Sequence, residues 1–150
     1  MAIAIFTTWT TYGTWLPGDE RGWYKSGAGV QSFDRVRLFE ASLLLGEDAM
    51  TLDSPQRELV EKTIGDHCAI RAWDLLAVNC RTNHVHVVVS APGVDIGVPR
   101  QQFKAWCTRK LRAAYPELSR SKWWTERGWD EHIDDDRSLA DVMEYVLERQ

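Results

Sequence analysis

Residues 84–90 read His84-Val85-His86-Val87-Val88-Val89-Ser90. Neighbouring side chains of a strand point to opposite faces. An extended segment here therefore turns Val85, Val87 and Val89 one way and His84 and His86 the other. The valine face can only be lined against a core, and the other face carries two imidazoles. Residues 73–80, Trp73-Asp74-Leu75-Leu76-Ala77-Val78-Asn79-Cys80, form a second strand-prone run just before it. Only Arg81-Thr82-Asn83 separates the two, and a connection that short makes an antiparallel hairpin.

The remaining segments must cover that hairpin. Residues 4–12 are rich in β-branched and aromatic side chains and predict a strand. Gly13, Pro17 and Gly18 then break the pattern, and residues 13–33 read as a long surface loop, functional or disordered. Residues 39–45 suit a short helix. Ser54-Pro55 opens a clear one, with Ser as the cap and Pro in the first turn, and Leu59, Val60, Thr63, Ile64 and His67 follow at helical spacing. Another helix spans residues 99–115, with Phe103, Trp106, Cys107, Leu111 and Ala114 on one side and Pro116 at its end. Residues 129–133 suit a short strand. Ser138, with Asp141 three residues on, resembles a capping box for a last helix. The order strand, helix, strand, strand, helix, strand, helix predicts an α+β chain: a ferredoxin-like split βαβ sandwich with an antiparallel sheet, plus a C-terminal helix. Both crossover helices then cover the valine face, which leaves the histidine face to a partner, a ligand or the final helix.

A length of 150 residues suits one domain over 1–150 with a single core. No apolar run approaches the ~20 residues of a membrane span, and residues 1–6 read as a first strand, not a signal peptide. Cys68, Cys80 and Cys107 are odd in number and irregularly spaced, which fits a reduced, cytoplasmic setting. The formal net charge of −4 argues against a polyanion partner, but its distribution does not. Between residues 100 and 127, Arg100, Lys104, Arg109, Lys110, Arg112, Arg120, Lys122 and Arg127 face two acids, Glu117 and Glu126, for a local net of +6. Such asymmetry fits either a nucleic-acid surface or a solvated basic helix. Eight tryptophans are many for this length. Beside basic residues they can stack on unpaired bases, or they can simply pack.

Two histidines converging from one strand face can share a metal ion, although an H-x-H pair also occurs as ordinary surface or half-buried histidines. On the last helix Leu139, Val142, Met143, Val146 and Leu147 make a packing stripe. Tyr145 falls roughly 120° from its centre. That position suits a ring packed at an edge with a wet hydroxyl, and equally a nucleophile.

The segment Asn83-His84-Val85-His86-Val87-Val88-Val89 resembles the HUH motif (His, hydrophobic, His) of single-strand nucleases. It is most similar to the REP-associated tyrosine transposases and the related single-tyrosine transposases of insertion sequences. Thr10-Thr11-Tyr12-Gly13-Thr14-Trp15-Leu16-Pro17-Gly18 and the ending Tyr145-Val146-Leu147-Glu148-Arg149-Gln150 also look like that group, and the element order is its fold. The resemblance implies a transposase that binds hairpin-ended single-stranded DNA and cleaves and rejoins it through a 5′-phosphotyrosine. Tyr145 would be the nucleophile. His84, His86 and a third side chain would hold Mg or Mn. Arg100, Lys104, Arg109, Lys110, Arg112, Lys122 and Arg127 would meet the nucleic acid. A homodimer, with or without shared sites, is compatible with the family. The family usually places Asn or Gln four residues after the tyrosine. Here that position is Arg149, which cannot ligate a cation, so Gln150 is the expected third ligand and Glu148 the alternative. The departure also leaves open a domesticated DNA-binding protein that no longer cuts. A structural zinc site built from Cys80, His84 and His86 would need a fourth ligand from His67, Cys68 or His132.

Overall fold

The computed structural model describes residues 2–25 and 27–148. In chain order its elements are β1 (Ala4–Thr10), β2 (Trp23–Lys25), β3 (Gly29–Gln31), α1 (Arg35–Leu43), α2 (Ser54–Arg71), β4 (Asp74–Cys80), β5 (His84–Ser90), α3 (Val98–Ala114), a 3-10 turn (Pro116–Leu118), β6 (Trp129–Ile133) and α4 (Asp136–Glu148). The main sheet has the order β4-β5-β1-β6, with every neighbouring pair antiparallel. This is the ferredoxin-like split βαβ order, with α2 and α3 as its crossovers.

The alternation of β5 divides the molecule as expected. Val85, Val87 and Val89 join Ile5 and Trp9 of β1 in one cluster, closed by Val60, Ile64 and Cys68 of α2 and by Phe103, Cys107 and Leu111 of α3. Val88 faces the other way, into a smaller cluster with Ala4, Ala77, Ile133 and Val146. Val146 belongs to α4, so the final helix takes up the face that the crossovers leave. Leu139, Val142 and Met143 pack beside it. Leu147, expected in the same stripe, is exposed. The stripe is narrower than the spacing suggested, because β4 and β5 are met only by the Leu139–Val146 side of the helix.

The helix starts differ from their sequence reading by a residue or two, for a chemical reason. Asp53, not Ser54, caps α2. Its Oδ1 accepts from the Gln56 amide at 2.9 Å, and Gln56 Oε1 accepts from the Asp53 amide at 2.9 Å. For α4, Asp135 Oδ1 accepts from the Ser138 amide at 2.7 Å, so the helix begins before Ser138. In both places a carboxylate one turn upstream meets the helix N-terminus, where negative charge is favoured.

Residues 13–33, expected as an irregular loop, contain the small ribbon β2–β3. The Asp19–Arg21 ion pair and the bond from Trp15 Nε1 to the Gly22 carbonyl, 2.7 Å, fasten the segment internally. Gly18 has φ +90°, and a Cβ there would lie 2.3 Å from the Leu38 amide nitrogen. Only glycine permits this contact between loop and α1. No helix among the described residues is long and apolar enough to cross a membrane.

Val146 is the only fully buried side chain of α4. Val146→Ala should cost about 1–2 kcal/mol and should selectively raise amide exchange across residues 136–148. If that helix keeps sheet-like protection, something other than Val146 docks it.

Candidate active site

The sheet register sets the floor of the site. His84 pairs with Thr10 and His86 with Thr8 on β1, while Asn79 of β4 lies opposite His86. Residues opposed across a ladder share a face. Thr8, Thr10, Asn79, His84 and His86 therefore point together towards α4. The roof is fixed by Asn79, whose Nδ2 donates to the Val146 carbonyl at 2.8 Å. This bond holds the Tyr145 turn of α4 against β4, the strand paired beside the one that carries the histidines.

Three rings then meet. The His84 and His86 centroids are 4.8 Å apart, with perpendicular planes. Tyr145 lies 5.7 Å from His86, again nearly perpendicular, and 6.4 Å from Phe6. Phe6 itself is 5.7 Å from His86. The tyrosine ring is thus supported by two neighbours, yet the residue is 43% exposed while His86 is only 8% exposed.

The imidazoles are prepared differently. Asn83 Oδ1 lies 2.7 Å from His84 Nδ1. An amide oxygen accepts, so the proton belongs on Nδ1 and the lone pair on Nε2. Burial, with the neighbouring His84 adding to it, pushes the His86 pKa down to about 4. Its ring is neutral near pH 7, and its buried Nδ1 has no hydrogen-bond partner among the described residues. Two imidazoles 4.8 Å apart, one of them neutral with a buried ring nitrogen, can act together as ligands of a divalent cation. Glu148 ends α4 and is exposed, and no set of three His, Cys, Asp or Glu suited to a metal occurs among the described residues. Gln150 lies outside the described residues.

The zinc alternative does not survive the geometry. Cys80 pairs with Val85, and so faces the crossover helices, away from the histidines. Burial, reinforced by Glu61, pushes its thiol up to about 12. His67 and Cys68 are buried on α2 in the same layer, and His132 pairs with Ile5. These groups lie across the sheet from His84 and His86.

The seven basic residues singled out in the sequence separate into two kinds. Arg100 pairs with Asp130 at 3.0 Å, and Thr7 donates to the other carboxylate oxygen of Asp130 at 2.6 Å. Lys104 Nζ donates to the Thr125 carbonyl at 2.7 Å and the Glu126 carbonyl at 3.2 Å. These two side chains brace residues 125–130 against α3. Arg109, Lys110, Arg112, Lys122 and Arg127 are exposed. Arg109 stacks on Trp106, 4.6 Å from its centroid. Because α3 covers the valine face, Arg109, Lys110 and Arg112 are not brought to the histidines. The tryptophans divide as well: Trp9, Trp123 and Trp124 are buried, and Trp15, Trp106 and Trp129 are exposed. Phe6, Thr8 and Asn79 were missed as site residues, since their place depends on register between strands far apart in sequence.

Residues 48–149 match the family model described as IS200-like transposase. No curated protein matches in sequence. The structure of a REP-associated tyrosine transposase bound to a REP hairpin resembles this chain with a TM-score of 0.57 at 13% identity, covering 97% of this chain and 66% of the other. The chain thus spans just under two thirds of that protein's length. A candidate transposase from Deinococcus radiodurans resembles it with a TM-score of 0.54 at 12% identity, over 97% of this chain and 89% of the other.

The brace at Lys104 has a pH signature. Burial first, and Arg100 second, push its pKa down to about 8. Between that value and the unfolded value the unfolded chain binds more protons, so this site makes stability rise with pH. Lys104→Met should abolish the rise. In urea unfolding at about pH 7.5 and about pH 9.5, wild type should gain on the variant by about 1–2 kcal/mol after allowance for solvent screening. Parallel pH dependences would mean that Lys104 is as solvated as a surface lysine.

Proposed function

The chain belongs to the IS200-like transposase family, and on that premise we propose that it cleaves and rejoins single-stranded DNA beside hairpins through a covalent bond to Tyr145. The observation that carries this reading is the placement of an exposed tyrosine 5.7 Å, ring to ring, from a buried neutral histidine. The hairpin bound to the transposase of similar fold supports the choice of substrate.

The Tyr145 oxygen attacks a backbone phosphorus, and the phosphorus–O3′ bond breaks. Tyrosine gives up its proton, the leaving oxygen takes one, and a 5′-phosphotyrosine and a 3′-hydroxyl result. Attack by another 3′-hydroxyl reverses the step and rejoins strands without a nucleotide cofactor. His84 and His86, with Gln150 as third donor, would hold Mg or Mn, which would neutralise charge at the phosphate and the leaving oxygen. Asn83 keeps the lone pair of His84 on Nε2. Burial keeps His86 unprotonated and so able to donate its own. Phe6 and His86 hold the tyrosine ring while its hydroxyl edge stays accessible. Arg109, Lys110 and Arg112 supply phosphate contacts outside the reacting face, and Lys122 and Arg127 supply further ones.

A second reading, DNA binding without cleavage, is favoured by Arg149 at the position where the family places an amide ligand. A denaturing gel separates the two. Wild type, mixed with labelled single-stranded hairpin oligonucleotides, should give a covalent adduct with Mg or Mn and none with chelator. Tyr145→Phe should abolish the adduct and keep binding, whereas adduct formation by this variant would remove Tyr145 from its role. His84→Ala combined with His86→Ala should eliminate metal-dependent cleavage, at least a hundred-fold on the scale of losing metal assistance. Tight hairpin binding with no adduct from wild type would favour the non-cleaving reading. In a separate comparison, Gln150→Ala should raise the metal concentration needed for half-maximal cleavage more than Glu148→Ala does. The reverse order would assign the third ligand to Glu148.

A further inference from the structure

Trp129 is 63% exposed, which leaves the face of its indole open to a flat partner. It pairs with Thr8, and Thr8 pairs with His86. The indole therefore stands on the histidine face, two strands from His86, or about 10 Å at ordinary strand spacing. At the same end of β6, the Arg127 guanidinium lies 6.0 Å over the ring of Tyr24, which is itself 61% exposed in the middle of β2. Arg127 and Trp129 are two residues apart, within ~7 Å along an extended chain. An exposed indole and a guanidinium lying over a phenol thus fall within a few residues of one another at the start of β6, where Trp129 borders the face that bears His84, His86 and Tyr145.

The support beneath this row is rigid. Lys104 holds the carbonyls of Thr125 and Glu126, and Arg100 holds Asp130. Between Arg127 and Trp129 stands Gly128, where a Cβ would meet the Thr8 carbonyl oxygen at 2.5 Å and the Arg100 Cδ at 2.6 Å. The chain is pressed onto β1 and α3 at this point, and the pairing with Thr8 sets Trp129 on the histidine face. Glu131, the next residue on the same face of β6, pairs with Phe6 and is exposed. Its carboxylate repels phosphates further along β6 and confines an anionic chain to the Trp129 end.

We propose that Trp129, Arg127 and Tyr24 form a stacking track that leads unpaired DNA bases across the start of β6 to the histidine and tyrosine face. The occupant follows from chemistry. Flat aromatic faces accept any base, the guanidinium stacks on bases and meets phosphates, and the combination suits a single strand, whose base faces are open, better than a duplex. The proposal rests on the reading of Tyr145 as acting on single-stranded DNA and adds the route of that strand.

The test is binding in chelator, where cleavage plays no part. The probes are a labelled DNA hairpin with an unpaired thymine tail and the same hairpin without its tail. Trp129→Ala and Tyr24→Ala should each weaken binding of the tailed hairpin by roughly ten-fold and leave the untailed hairpin unchanged. Trp129→Phe should recover most of the loss, because a smaller ring still stacks. Both alanine changes are at exposed positions, and unchanged melting temperatures would verify the fold. Equal affinity of wild type for both hairpins, or an equal loss for both in Trp129→Ala, would overturn the track. Tighter binding of an RNA tail than a DNA tail would overturn its assignment to DNA. A tail-specific loss in these variants, with no covalent adduct from wild type, would sink the phosphotyrosine reading and leave the track standing.

Discussion

Strand β5 is covered on both faces, and it can be so only because its side chains alternate in kind. Val85, Val87 and Val89 lie at the centre of the larger cluster, fully withdrawn from water. A slip of one residue in its pairing would put His84 and His86 among Phe103, Cys107 and Leu111, and would expose three valines under α4. Both changes are costly, since buried imidazoles would lose water without gaining partners and apolar area would return to solvent. The register that keeps the core dry is thus the same register that assembles Thr8, Thr10, Asn79, His84 and His86 on the opposite face. The core and the candidate site cannot be specified separately.

The second face is built with much less apolar material. Val88, Ala4, Ala77, Ile133 and Val146 make a small cluster, and α4 is attached by that cluster and by the Asn79 bond to the Val146 carbonyl. Light attachment suits a helix whose proposed work is at its surface. Tyr145 sits next to the buried Val146, so its backbone is fixed, while its own ring lies at the margin and keeps contact with water. A residue one place along in either direction would not combine these properties. Val146 is sealed, and Glu144 is charged and exposed.

Much of this was legible in the sequence. The hairpin, both crossover helices, the last helix and the side of the sheet taken by each histidine follow from periods of two and of 3.6. The stacking of α4 on the histidine face does not follow from period, because several covers were open to that face. The ribbon β2–β3 was hidden because three-residue strands are too short to show alternation. Charge was the least legible property. Arg100 and Lys104 look, in sequence, like the other members of a basic helix. They differ only in pointing towards residues 125–130, where carbonyls and Asp130 receive them. Neither helical phase nor composition distinguishes a cation that braces a loop from one that meets solvent. What distinguishes them is the neighbour, and that neighbour is 21 to 30 residues away in the chain.

That brace connects the basic helix to the proposed chemistry by a mechanical route. The α3 helix lies behind the sheet, and its charges do not reach the histidines through it. Yet Lys104 and Arg100, by holding residues 125–130, fix where β6 begins, and Gly128 lets that segment lie flat on β1. The position of Trp129 on the histidine face follows from those contacts. In the proposed function, the half-buried cations of α3 act by placing the side chains of β6, and the exposed ones act on the nucleic acid directly. A loss of DNA affinity after Lys104 or Arg100 is replaced would therefore reflect a displaced strand and not a missing phosphate contact. Such a loss should fall on the unpaired tail and spare the salt dependence, which counts charges at the phosphates.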